Sequence, residues 1–250
     1  GSTTLVKEGW GSNASRGTVM GGSAILAAAN NLLEAIRASA AAQFGCEPEV
    51  VEIATGLASV SAAGKSRSVS ELSGEGFSAD GPFVNNRRTY TYGAHAAHVA
   101  VDADTGQVEV LDYVTVEDVG RIINPGTLHG QVMGAVVQGL GASLLEEIVY
   151  DDTGQPLTGT LANYLMPGAE DFPNIRGFSL EMFPSPTNPL GAKGAGEGGI
   201  IPVGGVIANA VASALAPLGV HPWELPLSPQ RIWRLIQDAR ARRPGASRID

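Results

Sequence analysis

The chain has 250 residues, with 16 Lys and Arg against 25 Asp and Glu, a net charge of −9. A 44% hydrophobic content excludes a disordered chain, and the acidic balance argues against a general nucleic-acid or anionic-membrane binder. A lone cysteine, Cys46, excludes an internal disulfide and an iron–sulfur or zinc cage, and the natural compartment for such a chain is the reducing cytoplasm.

In chain order, a Gly/Ser/Thr-rich stretch from Gly11 to Thr18 runs into a predicted long helix with Ile25, Ala29, Leu32, Leu33 and Ile36 three and four apart. A loop opening directly on a helix exposes free N–H groups at the positive end of the dipole, either as ordinary capping or as a seat for an anion. Residues 47–86 are mixed, and the small polar run from Ser59 to Ser73 reads as exposed loop. Tyr92 to Val101 and Val108 to Val116 alternate about the turn Asp102–Gln107, which predicts a β-hairpin. A second helix is expected from Gly126 to about Glu147, with Val132, Val136, Leu140 and Leu144 on one face. Gly130, Gly134, Gly139 and Gly141 inside it serve either tight helix packing or close approach of something to the backbone. Asp151–Gln155 reads as another hairpin turn, and a strand is expected near Phe178 to Phe183. The weakly charged stretch from Ile200 to Leu218 holds two prolines, two glycines, an Asn and a Ser, so it reads as a buried loop and helix (about Gly204 to Ala216) with no membrane span. A last amphipathic helix carries Ile232, Trp233, Leu235 and Ile236, and 239–250 reads as an exposed tail. Helices alternating irregularly with antiparallel hairpins give an α+β fold class.

Familiar nucleotide motifs fail on context. Gly194, Gly196 and Gly199 match G-x-G-x-x-G, but a Pro-rich loop through Pro184, Pro186 and Pro189 precedes them where a strand is needed. Lys193 is followed by Gly194, so there is no P-loop. His95 and His98 are three apart on a strand and face opposite sides, a poor start for a metal site. Glu197 remains: a lone carboxylate flanked by glycines, with Lys193 the nearest charge. It is either a buried group with its pKa raised toward neutrality, as a general base requires, or a surface-loop glutamate.

The run from Ser185 to Gly199 closely resembles the active-site glutamate loop of the molybdenum hydroxylases, the relatives of xanthine dehydrogenase, aldehyde oxidase and carbon monoxide dehydrogenase. Three further segments agree in order and spacing: Ser15-Arg16-Gly17-Thr18 with Gly21 to Ala24, Asp118 to Pro125 with Gly130-Gln131 through Gln138-Gly139, and Asn163 to Pro167. Many relatives carry Cys where Val119 stands. The resemblance spans about residues 5–238 and implies the C-terminal, molybdenum-cofactor-binding lobe of a large subunit (residues 1–238). The other wall of the cofactor pocket and the iron–sulfur and flavin modules are absent, so the chain is a separately encoded or cleaved piece, or a fragment.

The roles that follow are those the resemblance implies. Glu197 is the general base in hydroxylation of an electron-poor carbon, of N-heterocycle or aldehyde type, with water as the oxygen source. Ser15, Arg16, Gly17, Thr18, Gln131, Lys193, Gly194, Ala195 and Gly196 bind the cofactor, and no residue of this chain ligates the metal. The cofactor is molybdenum–molybdopterin, of which the cytosine dinucleotide form is usual in bacterial members. Electrons leave to iron–sulfur clusters and FAD on partner chains. The partners implied are the remainder of the large subunit, a two-cluster iron–sulfur subunit, a flavin subunit and a small-molecule substrate. The alternative is a non-catalytic assembly or binding subunit with a degenerate pocket.

Overall fold

The computed structural model describes residues 2–4, 9, 11–74, 76–172 and 174–242. They divide into two compact units, one made of Arg16–Arg88 with Pro186–Gly191, the other of Gly1–Ser15, Thr89–Ser185 and Ala192–Asp250.

In the smaller unit a π-helical turn, Thr18–Gly22, leads into helix α1, Ser23–Phe44. The predicted stripe is buried only at its end. Ile25 is 72% exposed and Ala29 is exposed, whereas Ile36 is buried. The apolar contacts begin further along, where Ala40, Ala41 and Phe44 pack with Val51, Ala58, Val60 and Leu72. Gly45 ends the helix in the left-handed conformation (φ 72°), and its N–H returns to the Ala41 carbonyl. An antiparallel sheet follows, of β1 (Glu52–Ala54), β2 (Leu57–Val60) and β3 (Lys65–Ser68), so the run from Ser59 to Ser73 expected as loop instead holds the end of β2 and all of β3. It continues into helix α2, Val69–Leu72, started by a capping box between Ser68 and Glu71. Strands of three or four residues with Lys-Ser-Arg-Ser among them carry no period-two pattern, so only the ladder to β2 identifies them. By length and composition alone the helical run Thr18–Phe44 could cross a membrane. Here Glu34 pairs with Arg37, Asn31 bonds the Asp80 carbonyl, and the helix end lies in a small core, as in a helix of a folded domain.

The larger unit is built on the predicted hairpin, β4 (Tyr92–Val101) and β5 (Val108–Asp118), with a bulge at His98/Val99. Asp102 closes the turn by accepting from the Asp104 and Thr105 N–H groups. β5 runs two residues past the expected end, through Glu117 and Asp118. β6, Ile175–Leu180, starts three residues before the predicted strand and pairs parallel to β5, so the sheet β4-β5-β6 is mixed where only antiparallel pairing was expected. Helix α3, Pro125–Leu144, is capped by Asn124 Oδ1 on the Thr127 N–H and ends three residues before the expected boundary. Its predicted face, Val132, Val136, Leu140 and Leu144, is buried. Helix α4, Val203–Leu215, packs Val203, Ile207, Val211 and Leu215 into the core around Tyr113, joined by Ile232 and Ile236 of helix α5, Pro229–Arg242. The first four residues of the expected tail, Ala239–Arg242, continue α5, because good helix formers with Arg240 and Arg242 at the negative end keep it going. The rest, 243–250, lies outside the described residues. The Asp151–Gln155 turn forms, flanked by the single bridge Tyr150–Pro156. The helix glycines divide: a Cβ at Gly139 would meet Val203 Cβ at 2.6 Å and one at Gly141 would meet Pro167 at 2.7 Å, while Gly130 and Gly134 face open space.

Candidate active site

The C-terminal end of β5 carries two adjacent buried acids, Glu117 and Asp118, 2% and 4% exposed. Successive strand residues point to opposite faces, so the two serve different neighbours. Asp118 Oδ1 accepts from the Gly120 N–H at 3.0 Å and from Lys193 Nζ at 2.8 Å, and Oδ2 accepts from the Met182 and Phe183 N–H groups at 2.9 and 3.1 Å. Burial by itself would raise this carboxyl, but the Lys193 ammonium and the backbone donors outweigh it and hold the pKa below the ordinary carboxylate range. Lys193 is itself buried, with Nζ 4.1 Å from the centroid of the Tyr92 ring. Its N–H donates to the Val119 carbonyl at 2.9 Å, beside a bridge between Gly120 and Ala192.

From this anchor the segment 193–199 is tied down at Gly194, Gly196 and Glu197. The Gly194 carbonyl accepts from Thr91 Oγ1, and its N–H donates to Thr89 Oγ1 at 3.3 Å. Gln131 Nε2, on α3, donates to the Gly196 carbonyl at 2.8 Å. Ser15 Oγ donates to Glu197 Oε2 at 2.9 Å. The loop is glycine-rich because it is threaded through contacts that leave no room for a side chain. A Cβ at Gly194 would lie 2.6 Å from Ser15 Cβ, one at Gly198 2.3 Å from Glu117 Oε2, and one at Gly199 2.8 Å from Ala135 Cβ. Ala14 and Ser15 both hold left-handed backbone, φ 49° and 51°. Two consecutive non-glycine residues in that region store of the order of 1–3 kcal/mol each, a strain that concentrates at functional sites.

Ser15, Gln131 and Lys193–Glu197 therefore come together in the larger unit. Arg16, Gly17 and Thr18 belong to the other unit, where Gly17 precedes the first helical turn and no side chain caps it. Of the two alternatives open for Glu197, a buried group and a surface-loop glutamate, the second describes this chain, where Glu197 is exposed. The Lys193 side chain is taken up by Asp118 and Tyr92, which leaves its backbone, the part that the resemblance implies for the cofactor. Asp118, Glu117, Thr89, Thr91 and Tyr92 escaped the sequence reading. The available signal was an acidic pair closing a strand of alternating apolar and polar residues. Among the described residues no three His, Cys, Asp or Glu side chains assemble to hold a metal ion. What the site offers a ligand is a backbone-lined, glycine-narrowed loop, an exposed carboxylate at Glu197 and an amide at Gln131.

A family model described as a molybdopterin cofactor-binding domain matches residues 1–173. The 6-hydroxypseudooxynicotine dehydrogenase complex subunit gamma of Paenarthrobacter nicotinovorans is 38% identical over 94% of the chain, which covers 31% of that relative. Quinoline 2-oxidoreductase from Pseudomonas putida 86 superposes with a TM-score of 0.79 at 36% identity, covering 92% of this chain and 31% of the other. Carbon monoxide dehydrogenase from Oligotropha carboxidovorans gives a TM-score of 0.85 at 25% identity, with 96% of this chain and 31% of the other covered. The chain spans about a third of the length of these proteins.

Proposed function

The chain belongs to the molybdopterin cofactor-binding family, as a homologue of molybdenum hydroxylase large subunits, and from that membership we propose that it supplies the glutamate loop of a catalytic molybdenum hydroxylase. The observation that carries the proposal is Glu197: an exposed carboxylate on a loop held at Gly194 and Gly196, with its Oε2 accepting from Ser15.

When bound, the molybdenum–molybdopterin group would accept the electron pair of the C–H bond that breaks as the C–O bond forms, the hydrogen leaving in the end as a proton. The residues of this chain do the rest. Glu197 takes the proton of the water-derived oxygen as that oxygen adds to an electron-poor carbon, which raises its nucleophilicity at the moment of bond formation. The Ser15 hydroxyl keeps the carboxylate aimed. Gln131, already bonded to the Gly196 carbonyl through Nε2, has Oε1 left to accept from the cofactor. The backbone from Lys193 to Gly196 lines the approach, and Arg16 with the N–H groups of Gly17 and Thr18 binds anionic or pterin oxygens. The cytosine dinucleotide form of the cofactor, partner-held iron–sulfur clusters and FAD, and a cytoplasmic location complete the reading. Relatives named for a quinoline and for a hydroxylated nicotine derivative favour an N-heterocycle over an aldehyde as substrate.

The test is Glu197→Gln in the complete enzyme. Removal of a positioned base lowers turnover by about 10²- to 10⁴-fold, with molybdenum content unchanged. Near wild-type turnover would exclude Glu197 as the base, and an assembled complex without molybdenum would favour a non-catalytic binding subunit.

A further inference from the structure

Behind the Glu197 loop runs a buried polar chain that the reaction above does not use. Tyr113, Thr115 and Glu117 share one face of β5 at every second position. His95, on β4, is the register partner of Thr115. His95 Nδ1 lies 2.9 Å from the Tyr113 hydroxyl and Nε2 2.8 Å from Thr115 Oγ1. Thr115 donates to Glu117 Oε1 at 3.2 Å, and His95 Nε2 is 3.6 Å from the same oxygen. The His95 and Glu117 side chains are 1% and 2% exposed. Thr115 has one hydroxyl hydrogen. With that hydrogen on Glu117, the bond to the ring must run from Nε2–H to the threonine oxygen, which fixes the imidazole.

The second carboxyl oxygen, Oε2, has no hydrogen-bond partner among the described residues. A buried polar atom left this way is costly and calls for a reason. What it touches is Gly198: no Cβ fits there, because it would lie 2.3 Å from Oε2. The titratable groups turned toward the carboxyl are His95 from β4 and Tyr113 from β5, whose phenol is pushed up by burial and then by Glu117. β6 places Ser179 in register with Glu117, and the loop contributes Gly198.

We propose that Glu117 is a positioning residue for Glu197. Glu117 Oε1 is held by the Thr115 hydroxyl, which His95 Nε2 fixes in turn. Its Oε2 seats the Gly198 backbone against a rigid strand, which sets the direction in which the adjacent Glu197 carboxylate leaves the loop. The proposal rests on Glu197 being the base. Its consequence is large, because a misplacement of about 1 Å at a reacting group costs about 10²-fold in rate.

The experiment uses the complete enzyme with all its subunits, carrying Glu117→Gln, His95→Gln, Thr115→Val and the Glu117→Gln/His95→Gln double variant. The expected result is a kcat lowered about tenfold or more in each, with KM and molybdenum occupancy within about twofold of wild type. The double variant should be no slower than the slower single one, because groups acting as one unit are non-additive. If Glu117→Gln fails to assemble, Thr115→Val carries the test, since its shape suits the strand and it removes only the shared hydroxyl. Unchanged kcat in the variants, multiplicative effects in the double variant, or a loss of kcat that only follows lost molybdenum would overturn the proposal. Glu197→Gln measured in parallel separates the two readings. Full activity there removes the base and this proposal with it. An inactive Glu197→Gln beside fully active Glu117→Gln and His95→Gln overturns the positioning role alone.

Discussion

At the scale of single residues, Asp118 joins three stretches of chain through four hydrogen bonds on one carboxylate: the turn at Gly120, the strand exit at Met182–Phe183, and Lys193 at the head of the glutamate loop. Asp118→Asn leaves the Lys193 ammonium buried without its counter-charge. Breaking one side of such a pair costs about 3–5 kcal/mol. The pH dependence has a definite sign. Because the folded-state pKa is depressed, the contribution of Asp118 is fully present above the unfolded value of about 3.9 and is lost as pH falls through the folded value. Urea unfolding of the complete subunit should therefore show a constant deficit for Asp118→Asn from neutral pH down to about 4, shrinking below it. A deficit that grows on acidification would contradict the assignment. The sequence alone could not show this: Asp118 stands in a run that reads as the close of a hairpin, and its partner lies 75 positions away.

At the scale of elements, the glycines of α3 separate two physical roles that their spacing left open. Gly139 lets α3 and α4 approach until Val203 fills the place of a Cβ, whereas Gly134 has nothing within 4 Å. Gly139→Ala should cost about 1–3 kcal/mol by forcing the two helices apart. Gly134→Ala should be neutral or stabilising by up to about 1 kcal/mol, from helix propensity. Thermal melts of both variants check the pair, and equal destabilisation by both would mean that packing against α4 does not distinguish them. Elements with a clear period were legible: β4, β5 up to Val116 and the buried face of α3 lie where their apolar spacing puts them, and α4 falls in the stretch read as a buried helix. Elements held by pairing alone were not. β1 to β3 have too few residues for a period, and β6 is parallel because it returns to β5 through a long excursion that leaves no local mark. Within the site, the glutamate loop stood out by its glycines and by family resemblance. The groups that hold it (Thr89, Thr91, Asp118, Glu117) come from segments far away in sequence, and only the fold brings them to the loop.

At the scale of the whole molecule, the larger unit shows more apolar surface than a finished protein keeps. Leu161, Leu165, Met166, Phe178, Met182, Phe183, Ile201 and Trp223 are all more than half exposed, and β4 and β6, the edge strands of its three-stranded sheet, pair with no further strand among the described residues. The chain also covers only about a third of its relatives' length, and a 16% charged fraction gives little to keep such a surface solvated. Exposed apolar area on this scale is characteristic of an interaction surface or of an aggregation hazard, and open strand edges recruit further strands. The two observations have one explanation if, as the proposed function requires, the remainder of a large subunit covers these side chains. The contact with that remainder should then exceed about 2,000 Å², the lower end of obligate interfaces. Expressed alone, the chain should self-associate. Co-expressed with the remainder, it should elute as one species of the summed mass in size-exclusion chromatography with light scattering. Charged substitutions at Leu161 and Trp223, the most exposed of these side chains, should relieve self-association of the isolated chain and weaken the complex together. Relief without weakening would place those residues outside the contact, and a monodisperse, molybdenum-loaded, active monomer of the isolated chain would remove the need for any partner.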